Sequence, residues 1–312
     1  MPVDARTLTL HRPRNLKAAL AMLASEPTLT PIAGCTDVMV GLHFGTSDQR
    51  RFIDLWPLDE LRGIAAGGAG RAGKAGKAGR AGRAGRAGQG LRIGALTTYS
   101  EIIASPIIRR RVPMLVAAAG EIGGAQIQNR GTLGGNIANG SPAGDTLPVL
   151  AAADARIVLR STGGERRVPF NEFYTGYRTS VRRPDELITA IEIPEIEGRQ
   201  WWRKVGTRRA QAISKITMAG VHGPANHLRR GYGGQEAGRH IGSVRMAFGS
   251  VGPTVVLAQK TARLLAAGGS LAAAQALLRD EIAPIDDVRS TGEYRSQVAA
   301  NLLAQFWKET HE

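Results

Sequence analysis

The sequence predicts an α+β protein with more than one domain, and three observations carry that expectation. Strand-like and helix-like signals alternate through the first sixty residues, a glycine-dense segment interrupts the middle, and the pattern changes again after Pro194. At 312 residues the chain has room for two or three domains, each with its own core.

Taken in order, Leu8 to Leu10 is a short strand candidate, and Leu16, Leu20 and Leu23 recur at helical spacing behind Asn15, a helix-capping residue. Thr30 to Val40 places a short apolar piece before a turn of small residues, and Arg51-Phe-Ile-Asp-Leu resumes a strand. Ile64 and Leu91-Arg-Ile-Gly read as two halves of one hairpin, separated by seven Ala-Gly-X triplets over residues 69–89. Those triplets contain no proline and are too few for a collagen helix, so they are expected to form a disordered insertion. From Ser100 to Gly120 helical spacing returns, with Pro106 and Pro113 as helix starts.

Residues 129–145 read Asn-Arg-Gly-Thr-Leu-Gly-Gly-Asn-Ile-Ala-Asn-Gly-Ser-Pro-Ala-Gly-Asp. Five glycines and several short polar side chains suit a loop that brings backbone amides close to phosphates, ahead of a helix beginning after Asp145. Arg156 to Arg160 and Leu187 to Ile193 are strand candidates, the second alternating and stopping at Pro194. Residues 223–241 read as a loop, and helices are expected near Leu271–Arg279 and Tyr294–Lys308, the last with Val298, Leu302 and Phe306 four apart.

Composition removes several function classes. The net charge is +15, but six of the positive charges belong to the Ala-Gly-X tract, and removing them leaves +9, scattered along the chain. That tract has no aromatic residue for base stacking, which argues against nucleic-acid binding as the principal function. A single cysteine, Cys35, cannot hold an iron–sulfur cluster, so any such chemistry needs another polypeptide. The six histidines show no ligand spacing, and no metal site is expected. No apolar run reaches the roughly 18 residues of a membrane span and the start lacks a signal core, so a cytoplasmic location is expected.

Several blocks, in this order, carry a resemblance. They are Ala33-Gly-Cys-Thr-Asp37, Ile93-Gly-Ala-Leu-Thr-Thr98, residues 129–145, Phe173-Tyr-Thr-Gly-Tyr-Arg178, Asp185 to Pro194, Lys204 to Lys215, and Arg245-Met-Ala-Phe-Gly-Ser-Val251. The chain resembles the FAD-binding subunit of the molybdenum hydroxylases, the family containing xanthine dehydrogenase and aerobic carbon monoxide dehydrogenase. The resemblance implies a two-subdomain flavin-binding fold of the p-cresol methylhydroxylase and vanillyl-alcohol oxidase type, then a small C-terminal α/β domain with an antiparallel sheet and helices. Consistent with this, no Gly-x-Gly-x-x-Gly joins a first strand to a helix. The expected divisions are 1–58, 59–196 and 197–312.

The resemblance also implies a set of cofactor contacts. Ile32, Ala33, Gly34, Cys35, Thr36 and Asp37 match one diphosphate loop, and Thr132, Leu133, Gly134, Gly135 and Asn136 match a second. Asp145 matches a contact to the sugar-alcohol region, and Ile188 and Lys204 match further contacts. Asp145 also suits a helix cap, and Lys204 also suits a solvated side chain. Tyr174 and Tyr177 are candidates to shield the flavin ring, or simply to pack. The family pattern has glycine where Cys35 stands, so Cys35 is expected to keep a negative φ, with weaker flavin binding or a shifted loop. No catalytic side chain is expected. The implied role is electron transfer: FAD takes electrons from an iron–sulfur [2Fe-2S] subunit, beside a large molybdopterin subunit, and passes them to an external acceptor in a dimer of heterotrimers. A stand-alone FAD oxidoreductase of the same fold is the alternative. Substrate and acceptor are not readable from this chain.

Overall fold

A computed structural model describes residues 3–67, 90–224 and 243–311. The Ala-Gly-X insertion and most of the 223–241 loop, both read from sequence, lie outside the described residues.

The chain opens with β1 (Thr9–His11), α1 (Leu16–Ser25), β2 (Thr30–Ile32), α2 (Val38–Phe44) and β3 (Arg51–Asp54). The strands form a parallel sheet in the order β1-β3-β2. Asn15 starts α1 as its sequence suggests, accepting a hydrogen bond from the Ala18 amide at 2.8 Å. Leu16, Leu20 and Leu23 then bury one face against Ile53, Leu55 and Leu61.

Next come β4 (Ile64–Ala66), β5 (Leu91–Gly94), α3 (Tyr99–Ala104), α4 (Pro106–Arg111), α5 (Pro113–Gly120), α6 (Ala125–Gln128), α7 (Leu133–Asn139) and α8 (Leu147–Ala152). After them run β6 (Arg156–Ser161), β7 (Gly164–Pro169), β8 (Tyr174–Gly176), β9 (Thr179–Ser180) and β10 (Leu187–Ile193). Five strands make an antiparallel sheet ordered β4-β5-β10-β6-β7. The hairpin is present: Ile64 faces Ile93, and the Gly67 amide donates to the Gly90 carbonyl at 2.9 Å. Pro106 and Pro113 begin α4 and α5, where a missing amide costs nothing.

Two expectations change. β10 does not alternate between core and solvent, because all seven of its residues are buried. As the central strand it is covered on both faces, with Leu187 packed among the α1 residues and Ile191 in the main core. Its polar members are paired, Glu192 with Arg92 at 2.6 Å and Arg167 at 3.0 Å. Segment 129–145 is not one loop, since α7 occupies Leu133–Asn139. Its glycines serve close packing as well as turning: a Cβ on Gly134 would lie 2.7 Å from that of Ala95.

The C-terminal part holds β11 (Arg199–Val205), β12 (Ile216–His222), β13 (Val244–Gly249), β14 (Val256–Leu257), α9 (Gln259–Ala266), α10 (Leu271–Glu281) and α11 (Gly292–His311). Its four antiparallel strands run β11-β12-β13-β14. One face packs Met218, Met246 and Phe248 against Leu265, Leu278, Leu303 and Phe306 of the three helices. The other presents Trp202, Ala219, Val221 and Ala247 to the core that contains α8. The whole is a mixed α and β fold in which the C-terminal sheet closes one side of the middle region.

Candidate functional site

A cavity of about 430 Å³ opens where the loop after β2, the turn between β5 and α3, α7 and the start of β10 converge. Ile32, Ala33, Gly34, Cys35, Thr36, Asp37, Thr132, Gly134, Gly135, Asn136 and Ile188 line it, so the sequence blocks meet although they are far apart in the chain.

The two loops touch. A Cβ on Gly34 would lie 1.8 Å from the Arg130 carbonyl oxygen, so only glycine permits this approach. The Arg130 guanidinium stacks 3.8 Å over the Trp56 ring, whose centroid is also 4.4 Å from Arg62, tying the root of the second loop to the segment after β3. At the rim Arg178 donates to Asn139 at 3.0 Å and stands 3.9 Å from Asp37.

Cys35 departs from expectation: its φ is +61°, in the left-handed region. The chain must turn from β2 into α2 within a few residues, and the Cys35 carbonyl accepts the Met39 amide at 3.0 Å. That turn needs the left-handed geometry whichever residue occupies it, so Cys35 carries the strain glycine avoids. Burial pushes its thiol up, against the pull of Arg130.

The amides of the two loops are in opposite states. Among the described residues, those of Gly34, Cys35, Thr36, Asp37 and Val38 donate to no protein acceptor. Five consecutive free donors in residues that line a cavity are groups an anion can satisfy. In the second loop all but one of the donors are used: Leu133 to the Thr97 carbonyl at 3.0 Å, Gly134 to that of Ala95 at 2.8 Å, Gly135 to the Thr132 hydroxyl at 3.0 Å and Asn136 to the Thr132 carbonyl at 3.0 Å, leaving the Thr132 amide. Besides that amide the loop offers a side chain. Asn136 accepts from Thr146 at 2.6 Å through its oxygen, leaving its amide nitrogen without a protein partner.

Leu133, Asp145 and Lys204 do not line the cavity. Leu133 is fully buried in the core. Lys204 is not a solvated side chain, since its ammonium meets Asp145 at 2.7 Å with both side chains at least nine-tenths buried. Asp145 is not a cap: Ser214 donates to its other oxygen, Trp202 donates to its carbonyl at 3.2 Å, and Lys204 also reaches the Glu121 carbonyl at 3.2 Å. Burial pushes the Asp145 carboxyl up, more than Lys204 and Ser214 draw it down. Tyr99 lines the cavity, and its phenol is raised by burial and by the charge of Asp145. Tyr174 packs on Phe170 and Phe173 and donates to the Ile137 carbonyl at 2.8 Å, while Tyr177 is exposed; neither lines the cavity.

Residues 6–76 and 82–196 match the family described as FAD binding domain in molybdopterin dehydrogenase. The chain belongs to this FAD-binding family. The flavoprotein's residues 202–310 match the CO dehydrogenase flavoprotein C-terminal domain. It is 32% identical over 295 residues to the xanthine dehydrogenase FAD-binding subunit of Escherichia coli O157:H7, covering 91% of this chain and 89% of that one. It is 27% identical over 300 residues to the carbon monoxide dehydrogenase medium chain of Hydrogenophaga pseudoflava, covering 94% and 93%. In fold it is similar to the solved CO dehydrogenase from Oligotropha carboxidovorans, with TM-score 0.79, 24% identity and coverage of 98% and 96%. Quinoline 2-oxidoreductase from Pseudomonas putida 86 gives 0.80, with 20% identity and coverage of 100% and 98%. The flavoprotein is thus an oxidoreductase component of the xanthine and CO dehydrogenase type, and FAD is its cofactor.

Sequence reasoning missed Tyr99, Ile122, Ile127, Arg182 and Glu186 of the cavity wall. Tyr99 had a signal: Thr98 and Glu101 form a capping box, which fixes Tyr99 in the first turn of α3. Arg182 and Ile122 had none, because nothing in their local spacing marks a cavity.

Proposed function

We propose that this chain is the electron-transfer flavoprotein of a multi-subunit molybdenum hydroxylase. It takes electrons from an iron–sulfur [2Fe-2S] subunit that works beside a large molybdopterin subunit, in a dimer of heterotrimers, and delivers them to an external acceptor. The observation that carries the FAD assignment is the run of free amides from Gly34 to Val38, in residues that line the cavity. Amides held in place beforehand suit the diphosphate, the charged part of FAD.

The residues present fit the cofactor. Gly34 lets the two loops close on each other, and the Asn136 amide nitrogen supplies a further donor from the opposite wall. Ile122, Ile127, Tyr99 and Ile188 give an apolar wall on which a ring system can lie. Lys204 and Asp145 lie outside that lining and are proposed to orient the flavin end by way of Tyr99. FAD, when bound, supplies the chemistry that joins one-electron carriers to a two-electron acceptor. The chain itself binds, orients and shields, and no side chain is assigned proton transfer. Two features support the need for partners: the single cysteine rules out a cluster of its own, and the relatives are named as subunits or medium chains.

Gentle isolation of the native protein tests this reading. FAD, iron and molybdenum are expected to copurify with the chain. A sample of this chain alone, active on substrate and free of both metals, would refute the subunit role and favour the stand-alone oxidoreductase.

A further inference from the structure

Arg182 lies between β9 and β10 and lines the cavity beside Glu186, Leu187 and Ile188. Its side chain is partly buried, and only Nη1 has protein partners, the carbonyls of Arg183 at 3.0 Å and Glu186 at 2.8 Å. Among the described residues Nε and Nη2 meet no acceptor, and no carboxylate stands within ion-pair distance of Arg182. Glu186, the obvious candidate, is taken. Arg166 holds it through two bonds of 2.7 and 2.8 Å, Arg183 stands 3.0 Å away, and the Arg183 amide donates at 2.8 Å.

A guanidinium keeps its proton under all ordinary conditions, so this charge persists. Burial disfavours it, opposed only by the more distant attraction of Glu186 and Asp185. A cation even partly withdrawn from water without a counter-charge costs the protein that holds it some stability. Bracing of the 183–186 turn accounts for Nη1 but leaves Nε, Nη2 and the charge without an answer among the described residues.

We infer that Arg182 is the counter-ion for the phosphates of the bound dinucleotide, and that it makes the cavity select phosphate-bearing flavin over riboflavin. This rests on the FAD reading and assigns its charge recognition to a side chain. The free amides of the first loop are dipoles that fix the phosphate oxygens, whereas Arg182 supplies a full positive charge in a site partly shielded from water.

The test uses the 312-residue chain freed of flavin, as wild type, Arg182→Gln, Arg182→Met and Arg182→Lys. Each is titrated with FAD and with riboflavin by flavin fluorescence, and the flavin-free proteins are melted. Arg182→Gln keeps an amide donor on a shorter side chain and loses the charge. It is expected to weaken FAD by about ten-fold or more and riboflavin by less than about two-fold, with Arg182→Lys recovering most of the loss. Flavin-free Arg182→Gln is expected to melt at or above the wild-type temperature, because an uncompensated charge has been removed. Equal weakening of both ligands, or a lower melting temperature with unchanged selectivity, overturns the inference and leaves Arg182 a brace. If Arg182→Met does not fold, the Gln and Lys variants decide by the same criteria. Wild-type protein that fails to bind FAD overturns the functional reading itself, whereas wild type that binds FAD with a Gln variant of equal selectivity overturns only the role of Arg182.

Discussion

Cys35 shows how one residue type and one backbone angle conflict. At φ +61° its side chain sits in a region where non-glycine residues are strained by about 1 kcal/mol or more. Cys35→Gly is therefore expected to raise stability by about 1 kcal/mol, read from denaturant unfolding, and to tighten FAD binding as the loop relaxes. An unchanged or lower unfolding midpoint would show that the thiol's contact with the Ala33 carbonyl, at 3.5 Å, matters more than the strain. The sequence marked Cys35 as anomalous but assigned its φ the wrong sign. The turn's geometry is dictated by the distance between β2 and α2, which residue type alone does not reveal. Arg182 was invisible for a related reason: its significance lies in partners it lacks, and absence of a partner has no sequence pattern.

At the scale of elements, signals that depend on immediate neighbours were legible. Asn15 before α1, and Pro106 and Pro113 at the starts of α4 and α5, act through their own backbone, so position in the chain is sufficient. α7 was read as loop because its glycines are disfavoured in an isolated helix by roughly 1 kcal/mol each, and only their neighbours in the fold explain them: Ala95 against Gly134, and the Thr132 hydroxyl 2.8 Å from where a Cβ on Gly135 would lie. The segment between α10 and α11 depends on a charge. Its Asp287 accepts from the Arg289 and Ser290 amides at 2.8 and 3.1 Å and from buried Arg295 at 2.6 Å. Partial burial alone would raise its carboxyl, but these bonds and the Arg295 charge together lower it from 3.8 to about 2. A carboxyl lowered by folding stabilises above its unfolded value, and that stabilisation is lost as the pH falls through its folded value. The stability difference between wild type and Asp287→Asn should therefore be constant above about pH 5 and shrink between about pH 4 and pH 2. A difference independent of pH would mean that Asp287 is held as a neutral acceptor.

Across the whole molecule, the cavity depends on strands and loops drawn from most of the chain, while the C-terminal sheet joins the middle region through apolar packing and a buried ion pair. Lys204 on β11 and Asp145 before α8 are 2.7 Å apart with little solvent access. Removing one member leaves the other as an unpaired buried charge, so Lys204→Met is expected to destabilise by about 3–5 kcal/mol. The double variant Lys204→Met with Asp145→Leu should recover much of that loss in thermal or denaturant unfolding, and strictly additive losses would deny the coupling. Among the described residues no helix is long and apolar enough to cross a membrane. The local pattern of each block was legible in the sequence, whereas the way the blocks interlock through Trp202, Lys204, Ser214 and Asp145 was not. That interlock limits how the parts can be inherited. A chimera that joins this chain's residues up to Ile196 to a relative's C-terminal region keeps Asp145 and imports every group that answers it. Such an exchange succeeds only where the incoming sheet carries a matching lysine, so these two domains are expected to have diverged as a pair.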